Sequence, residues 1–335
     1  MHAKPIAVSM GDPAGVGLEI AARTFMERRE ETPRFFLIGD ADALLRAARR
    51  LDCAAPFSLG VDAYRPDAPE NVLQIVSTPL AAPEVPGEAD PRNASAITQA
   101  IARGVEACLN DEASALVTLP IGKAALYEAG FAFPGHTEFV AHLTEAAPFR
   151  GERGPVMMLA AEGLRVALVT IHMPLVDVAQ NLTTDRIVSV CRVVAQSLTR
   201  DFGVDHPRIA LAGFNPHAGE AGALGREEIE IINPAAARLR AEGLDVRDAA
   251  PADTLFHAEA RASCDAVVCM YHDQGLIPIK TLDFWGAANV TLGLPIVRAS
   301  PDHGTAYSIA GKGVARPDSF IAALKLAASM AERRG

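Results

Sequence analysis

A chain of 335 residues, half of them hydrophobic and 21% charged, is long enough for about two well-buried domains and is not a disordered segment. With 41 acidic against 31 basic residues and no basic run, its net charge of −10 excludes nucleic acid as the main partner. Five scattered cysteines (Cys53, Cys108, Cys191, Cys264, Cys269) without a CxxC pair fit reduced thiols; with no leader and no apolar run of about 18 residues, a cytoplasmic protein with no membrane partner is expected.

In chain order, residues 5–10 (PIAVSM) read as a first strand, followed by Gly11, Asp12, Pro13, Ala14, Gly15, Val16 and Gly17 and a helix over about 17–30. The N-terminus of such a helix favours an anion, although a tight strand-to-helix turn explains the glycines equally well. Position 20 is Ile, so the dinucleotide fingerprint is incomplete. A strand at 34–39, a helix at 41–51 and a strand at 71–76 follow, then a proline-rich connector over 78–91 that cannot be helical. A helix over 93–110 has Asn93 or Ser95 as its cap, and a strand spans 116–119. Thr137 is then expected to cap a helix running to about 146, with His136 just before it at a place suited to a carboxylate or phosphate.

The texture changes at Pro155, where VMMLAA and RVALVTI joined through Glu162-Gly163 predict an antiparallel hairpin and the start of a second domain. Helices are expected over 184–199, 227–242 and from Asp253, and a strand over 265–270. Three strand-like runs each end in a histidine: His172 in IHMPL, His217 in FNPHAG and His272 in YHDQG. They lie 45 and 55 residues apart, which rules out a local metal motif. Loops at strand C-termini line the crevice where α/β sheets bind ligands, and three converging imidazoles form a ligand set for a catalytic divalent ion. Each histidine taken singly fits a hydrogen-bonded structural role as well. Asp253 and Asp273 are of the right type to support a metal-bound imidazole. Lys280, Asn289 and Arg298 near expected strand ends suit phosphate or carboxylate recognition, and HGTA at 303–306 is expected to open a helix.

The motifs GDPAGVG, PGHTEF, IHMPL, FNPHAGE, GREE, DTLF, YHDQG, PIK, NVTLGLP and DHGTA, in this order from residue 11 to 306, resemble the 4-hydroxythreonine-4-phosphate dehydrogenase family of vitamin B6 biosynthesis. The resemblance covers nearly the whole chain. It implies an isocitrate/isopropylmalate dehydrogenase-like α/β fold of two domains, residues 1–150 plus 290–335 and residues 151–289, with the active site in the interdomain cleft at a dimer interface. It also implies a homodimer that shares its active sites and uses NAD or NADP and one divalent ion per site, zinc, magnesium or cobalt. Carried over residue by residue, His172, His217 and His272 match the metal ligands, and His136, Thr137, Lys280, Asn289 and Arg298 match the substrate-binding positions. His303, Gly304, Thr305 and Ala306 match the cofactor-binding segment.

The reaction so implied oxidises 4-phosphohydroxy-L-threonine at C3 and decarboxylates it to 3-amino-2-oxopropyl phosphate. Lys280 would transfer a proton or stabilise an oxyanion, and Asp273 would orient an imidazole or accept a proton. The chain departs from the family pattern at 282–288 (LDFWGAA), beside Asn289 and Lys280, and at Ser308, which bears on cofactor binding. Related dehydrogenases acting on phosphothreonate, phosphoerythronate or a carboxylated cis-dihydrodiol are the alternative. A metal-dependent hydrolase is a rival from another class, but it has no use for the HGTA and AGKG tail. A non-catalytic metal-binding protein would need neither Lys280 nor the anion-binding set.

Overall fold

The computed structural model describes residues 4–51, 57–69 and 71–334, so Cys53 lies outside the described residues. From the N-terminus the elements are β1 (Ile6–Ser9), α1 (Gly17–Glu27), β2 (Phe35–Gly39), α2 (Ala41–Arg50), β3 (Phe57–Val61), β4 (Leu73–Ser77), α3 (Ala94–Leu109), β5 (Ala115–Thr118), α4 (Lys123–Glu128) and α5 (His136–Leu143). There follow β6 (Val156–Ala161), β7 (Leu164–Leu168), α6 (Leu175–Asn181), α7 (Thr184–Phe202), β8 (Arg208–Leu211), α8 (Asn233–Ala241), β9 (Asp245–Val246), α9 (Ala258–Ala262), β10 (Ala266–Cys269), α10 (His272–Leu282) and β11 (Ala288–Leu292). The chain ends with β12 (Arg298–Pro301) and α11 (Asp318–Arg334). The fold is mixed α/β.

The chain divides into two compact units, one of residues 1–148 with 295–331 and one of residues 149–294 with 332–335. In the first, the strand order is β3-β4-β2-β1-β5-β12 and every pairing is parallel. Strands of a parallel sheet covered on both faces need apolar side chains on both sides, and β1, β2 and β5 are buried at every residue.

The second unit has the order β11-β6-β7-β10-β8-β9. β11, β6 and β7 pair antiparallel, while β7, β10, β8 and β9 run parallel. The expected hairpin is therefore present, with Met158 opposite Ala167. Its core joins Leu159, Val166, Leu168, Val267, Cys269, Leu276 and Ile279. Gly275 is what lets α10 lie so close to β7, since a Cβ there would come within 2.3 Å of Val166 Cγ1. Among the described residues, no helix is long and apolar enough to cross a membrane.

Several local expectations are corrected. β3 was not foreseen. Asn93 precedes α3 but does not cap it, because its Oδ1 accepts from Ala82 N at 2.9 Å in the proline-rich connector. Thr137 is the second residue of α5, whose N-cap is Gly135, so it does not cap either. The helix expected from Asp253 is a 3-10 turn over Ala252–Thr254 and the separate short α9. That expected over 227–242 begins as a π turn over Glu228–Ile232 before α8. The stretch from His272 to Leu282 is helical despite Pro278 within it, which takes Lys280 away from a strand end and into a last helical turn. Asn289 is the second residue of β11 and Arg298 the first of β12. Residues 303–306 open no helix; a 3-10 turn over Tyr307–Ile309 follows them.

Candidate active site

In the second unit the three histidine loops leave neighbouring parallel strands, in the order β7, β10, β8. Two of them are held side by side. Backbone pairing continues beyond the strands, Val169 N donating to Cys269 O at 2.8 Å and Thr170 N to Met270 O at 3.2 Å, and the Thr170 hydroxyl donates to Met270 O at 2.7 Å. Two residues further on, the His172 and His272 rings stand 5.6 Å apart between centroids. They line a cavity of about 490 Å³ with Met173, Pro174, Tyr271 and Asp273.

Asp273 Oδ1 lies 2.7 Å from His272 Nδ1. A carboxylate there accepts a hydrogen bond from Nδ1–H and so favours the tautomer whose lone pair is on Nε2, the arrangement that supports a metal-ligating histidine. The donor chemistry of the pair therefore fits a divalent ion. His217 does not join them within the chain: no group of three His, Cys, Asp or Glu side chains disposed to hold a metal ion occurs among the described residues.

The loop bearing His217 has an unusual backbone. His217, Ala218, Gly219, Glu220 and Ala221 all have positive φ, between 44° and 79°, so the chain makes a left-handed turn here. Each non-glycine residue in it costs about 1–2 kcal/mol. What holds the turn is Glu228, buried to 2% exposure. Its carboxylate accepts from Asn215 N at 2.7 Å and from Asn215 Nδ2 at 2.9 Å, while Glu227 accepts from Asn215 Nδ2 at 2.6 Å. Gly225 gives the amide room, since a Cβ would come 2.4 Å from Asn215 Nδ2. The GREE motif is thus a clamp on the segment that presents His217.

A second buried link, missed from sequence, is Gln274: its Oε1 accepts from Met270 N at 2.7 Å and its Nε2 donates to Gly213 O at 2.6 Å. It ties the start of α10 to the ends of β10 and β8. Lys280, two turns further along α10, has its ammonium 5.5 Å from the centre of the Phe284 ring. Asn289 has its Oδ1 buried without a hydrogen-bond partner.

In the first unit, His136 opens α5 with its Nε2 buried and without a hydrogen-bond partner. Burial holds this imidazole well below its ordinary pKa, and the charges of Arg298 and Lys123 push the same way. Arg298 is 2% exposed and donates from Nη2 to Thr118 Oγ1 at 2.5 Å. Burial lowers its pKa to about 10, opposed by Glu138. A desolvated guanidinium beside an imidazole at a helix start, with the exposed Lys123 nearby, forms an anion-binding environment. Lys123 and Glu138 also flank Gly135, and neither was assigned a role from sequence.

The segment 303–306 rests on the glycine loop at 11–17. Val16 N donates to Thr305 O at 3.0 Å, and a Cβ on Gly15 would come 2.9 Å from that oxygen. Tyr307 donates to the buried Asp12 at 2.7 Å, and burial together with that carboxylate raises the phenol's pKa. Residues 11–22 are all buried, so the glycines here serve packing and the start of α1 is no open anion site. Gly304 is exposed with nothing within 4 Å of a would-be Cβ, and the Nε2 of His303 is buried without a partner.

The sequence profile described as pyridoxal phosphate biosynthetic protein PdxA matches residues 31–327. The chain belongs to the PdxA family. A relative from Caulobacter vibrioides named 4-hydroxythreonine-4-phosphate dehydrogenase is 54% identical over 339 residues, covering 100% of both chains. The crystal structure of 4-hydroxythreonine-4-phosphate dehydrogenase from Klebsiella pneumoniae is similar at a TM-score of 0.87 and 39% identity, over 98% of this chain and 100% of that one. A terephthalate 1,2-cis-dihydrodiol dehydrogenase from Burkholderia xenovorans is less similar, at 29% identity and a TM-score of 0.63 over 98% of both chains. By these names the family is one of oxidoreductases, with a role in vitamin B6 synthesis.

Proposed function

We propose that this chain oxidises 4-phosphohydroxy-L-threonine at C3 with NAD+ and releases CO2, leaving 3-amino-2-oxopropyl phosphate and NADH. The observation that carries the reading is the His172 and His272 pair with Asp273 on the Nδ1 of one ring. His172, His272 and the His217 of a second copy would hold a divalent ion in a homodimer. Support for self-association comes from apolar side chains left exposed beside the pair, Leu175 at 66%, Val176 at 78% and Ile277 at 65%. When bound, the ion and the nicotinamide supply a Lewis acid at the C3 oxygen and an acceptor for the electron pair leaving C3.

This chain's residues do the rest. Arg298, His136 and Thr137 bind the phosphate, and neutral His136 does so without adding a buried charge. The reaction has no net proton, because the one lost by the C3 hydroxyl is balanced by the one that C2 gains after decarboxylation. Lys280 would move a proton in these transfers or stabilise the oxyanion. Asp273 fixes the orientation of His272, and Asn289, with its buried unpartnered Oδ1, contacts the substrate. His303, Gly304, Thr305 and Ala306 hold the cofactor, Gly304 permitting close approach of its backbone. The two compact units would act as the two domains of one enzyme in the cytoplasm.

The buried arginine and imidazole fit a substrate that carries an anionic group, phosphate or carboxylate. Incubating zinc-loaded protein with NAD+ and either 4-phosphohydroxy-L-threonine or phosphothreonate, while following NADH absorbance and CO2, tests the reading. NADH and CO2 from the first substrate are expected. NADH from phosphothreonate alone would assign the chain to the alternative, and phosphate release without NADH would mark a hydrolase.

A further inference from the structure

The second unit has another cavity at the opposite edge of the same parallel strands. It measures about 380 Å³ and is lined by Arg165, Arg208, Arg261 and Asp265, with Leu164 and Val267 among its apolar walls. These residues stand at the beginnings of β7, β8 and β10 and on α9, whereas the histidine loops leave the strand ends. β7 has five residues, which at about 3.3 Å each puts roughly 17 Å between the two edges.

The charges in this cavity do not balance. Asp265 is committed to Arg208, accepting from its backbone N at 2.8 Å and from Nε and Nη2 at 3.1 Å each. Arg165 lies over the Phe202 ring at 4.8 Å and, among the described residues, donates to the backbone oxygen of Asp265 at 3.2 Å and to no side chain. Burial lowers its pKa, opposed by the charge of Asp265, whose carboxylate hydrogen-bonds Arg208 instead. Arg261 makes one long contact, 3.4 Å to Gly163 O, and its Nε is buried without a hydrogen-bond partner. Two guanidinium groups thus face one concavity with their planar donor sets unmatched by carboxylate. Such forks fit the oxygens of phosphate, and the apolar walls suit a short hydrocarbon body.

We propose that this cavity binds a small phosphate monoester through Arg165 and Arg261, at a site separate from the catalytic one. Calorimetric titration of the full-length protein with phenyl phosphate tests it, with benzoate as the carboxylate probe. Arg261→Ala removes a fork, and Ala262→Glu sets a carboxylate at the cavity wall without removing any donor. The wild type is expected to show a class of phenyl phosphate sites that either substitution weakens about tenfold or more, while benzoate binds that class less tightly. KM for the phosphorylated substrate should be unchanged in both variants. An isotherm unaltered by both substitutions overturns the proposal, as does benzoate binding as tightly as phenyl phosphate. Because the readout is binding, it stands even if the enzymatic reading fails.

Discussion

The Glu228 carboxylate receives two hydrogen bonds from Asn215, one from the backbone at 2.7 Å and one from the amide at 2.9 Å, across a separation of 13 residues. Between those residues lies the left-handed turn that carries His217. The clamp offsets conformational strain that the turn cannot relieve by itself.

Glu228→Ala should therefore destabilise the protein by about 1–3 kcal/mol, since it leaves the Asn215 backbone N–H without its acceptor while the Asn215 amide keeps Glu227. It should also weaken zinc binding, although Glu228 is not proposed as a ligand. Thermal melts with and without zinc check both effects, and a variant that melts lower but binds zinc as the wild type does would separate the clamp from the metal.

Gln274→Ala removes the partners of Met270 N and Gly213 O together. A loss of about 2–5 kcal/mol is expected from two buried groups left unsatisfied. Gly275→Ala acts through packing on the same helix, pressing a methyl group to 2.3 Å from Val166, and should cost about 1–3 kcal/mol. Urea unfolding curves with unchanged slopes would report both.

His136 gives a pH signature. Its folded pKa is held below the ordinary value of 6.5, so the unfolded chain binds the proton more readily. Its share of stability is complete above 6.5 and is lost as pH falls toward the folded pKa. His136→Gln should flatten that loss. Melting temperatures from pH 7.5 to 5, compared between wild type and variant, would show the difference.

Arg298 is proposed to hold phosphate and not the reacting carbon. Arg298→Ala should raise KM more than it lowers kcat. The reverse split in steady-state kinetics would place Arg298 at the reacting centre.

Most strands were legible because their residues are almost all apolar, as in β1, β5 and β10. β3, a short FSLGV with a glycine inside it, lacked that signal. α10 was hidden by Pro278 and by an apolar run that reads as extended chain. The caps failed for a different reason: Asn93 has the right chemistry but spends it on Ala82, a partner 11 residues away. Of the candidate site, the sequence named the histidines, His136 and Arg298 as candidates by residue type and place. It could not disclose that the His172 and His272 loops run together, which depends on backbone pairing 100 residues apart. Nor does HAGEAG announce a left-handed turn, since only its glycines favour positive φ and the clamp lies downstream.

The central claim is that His172 and His272 bind a divalent ion with Asp273 supporting one of them. Zinc titration of the apoprotein against a chromophoric chelator tests it most directly, in the wild type and in His172→Ala, His272→Ala and Asp273→Asn. One ion per chain is expected in the wild type. Affinity should fall about 100-fold or more when either imidazole is removed and about 10–100-fold in Asp273→Asn. Wild-type affinity retained in both histidine variants would contradict the account.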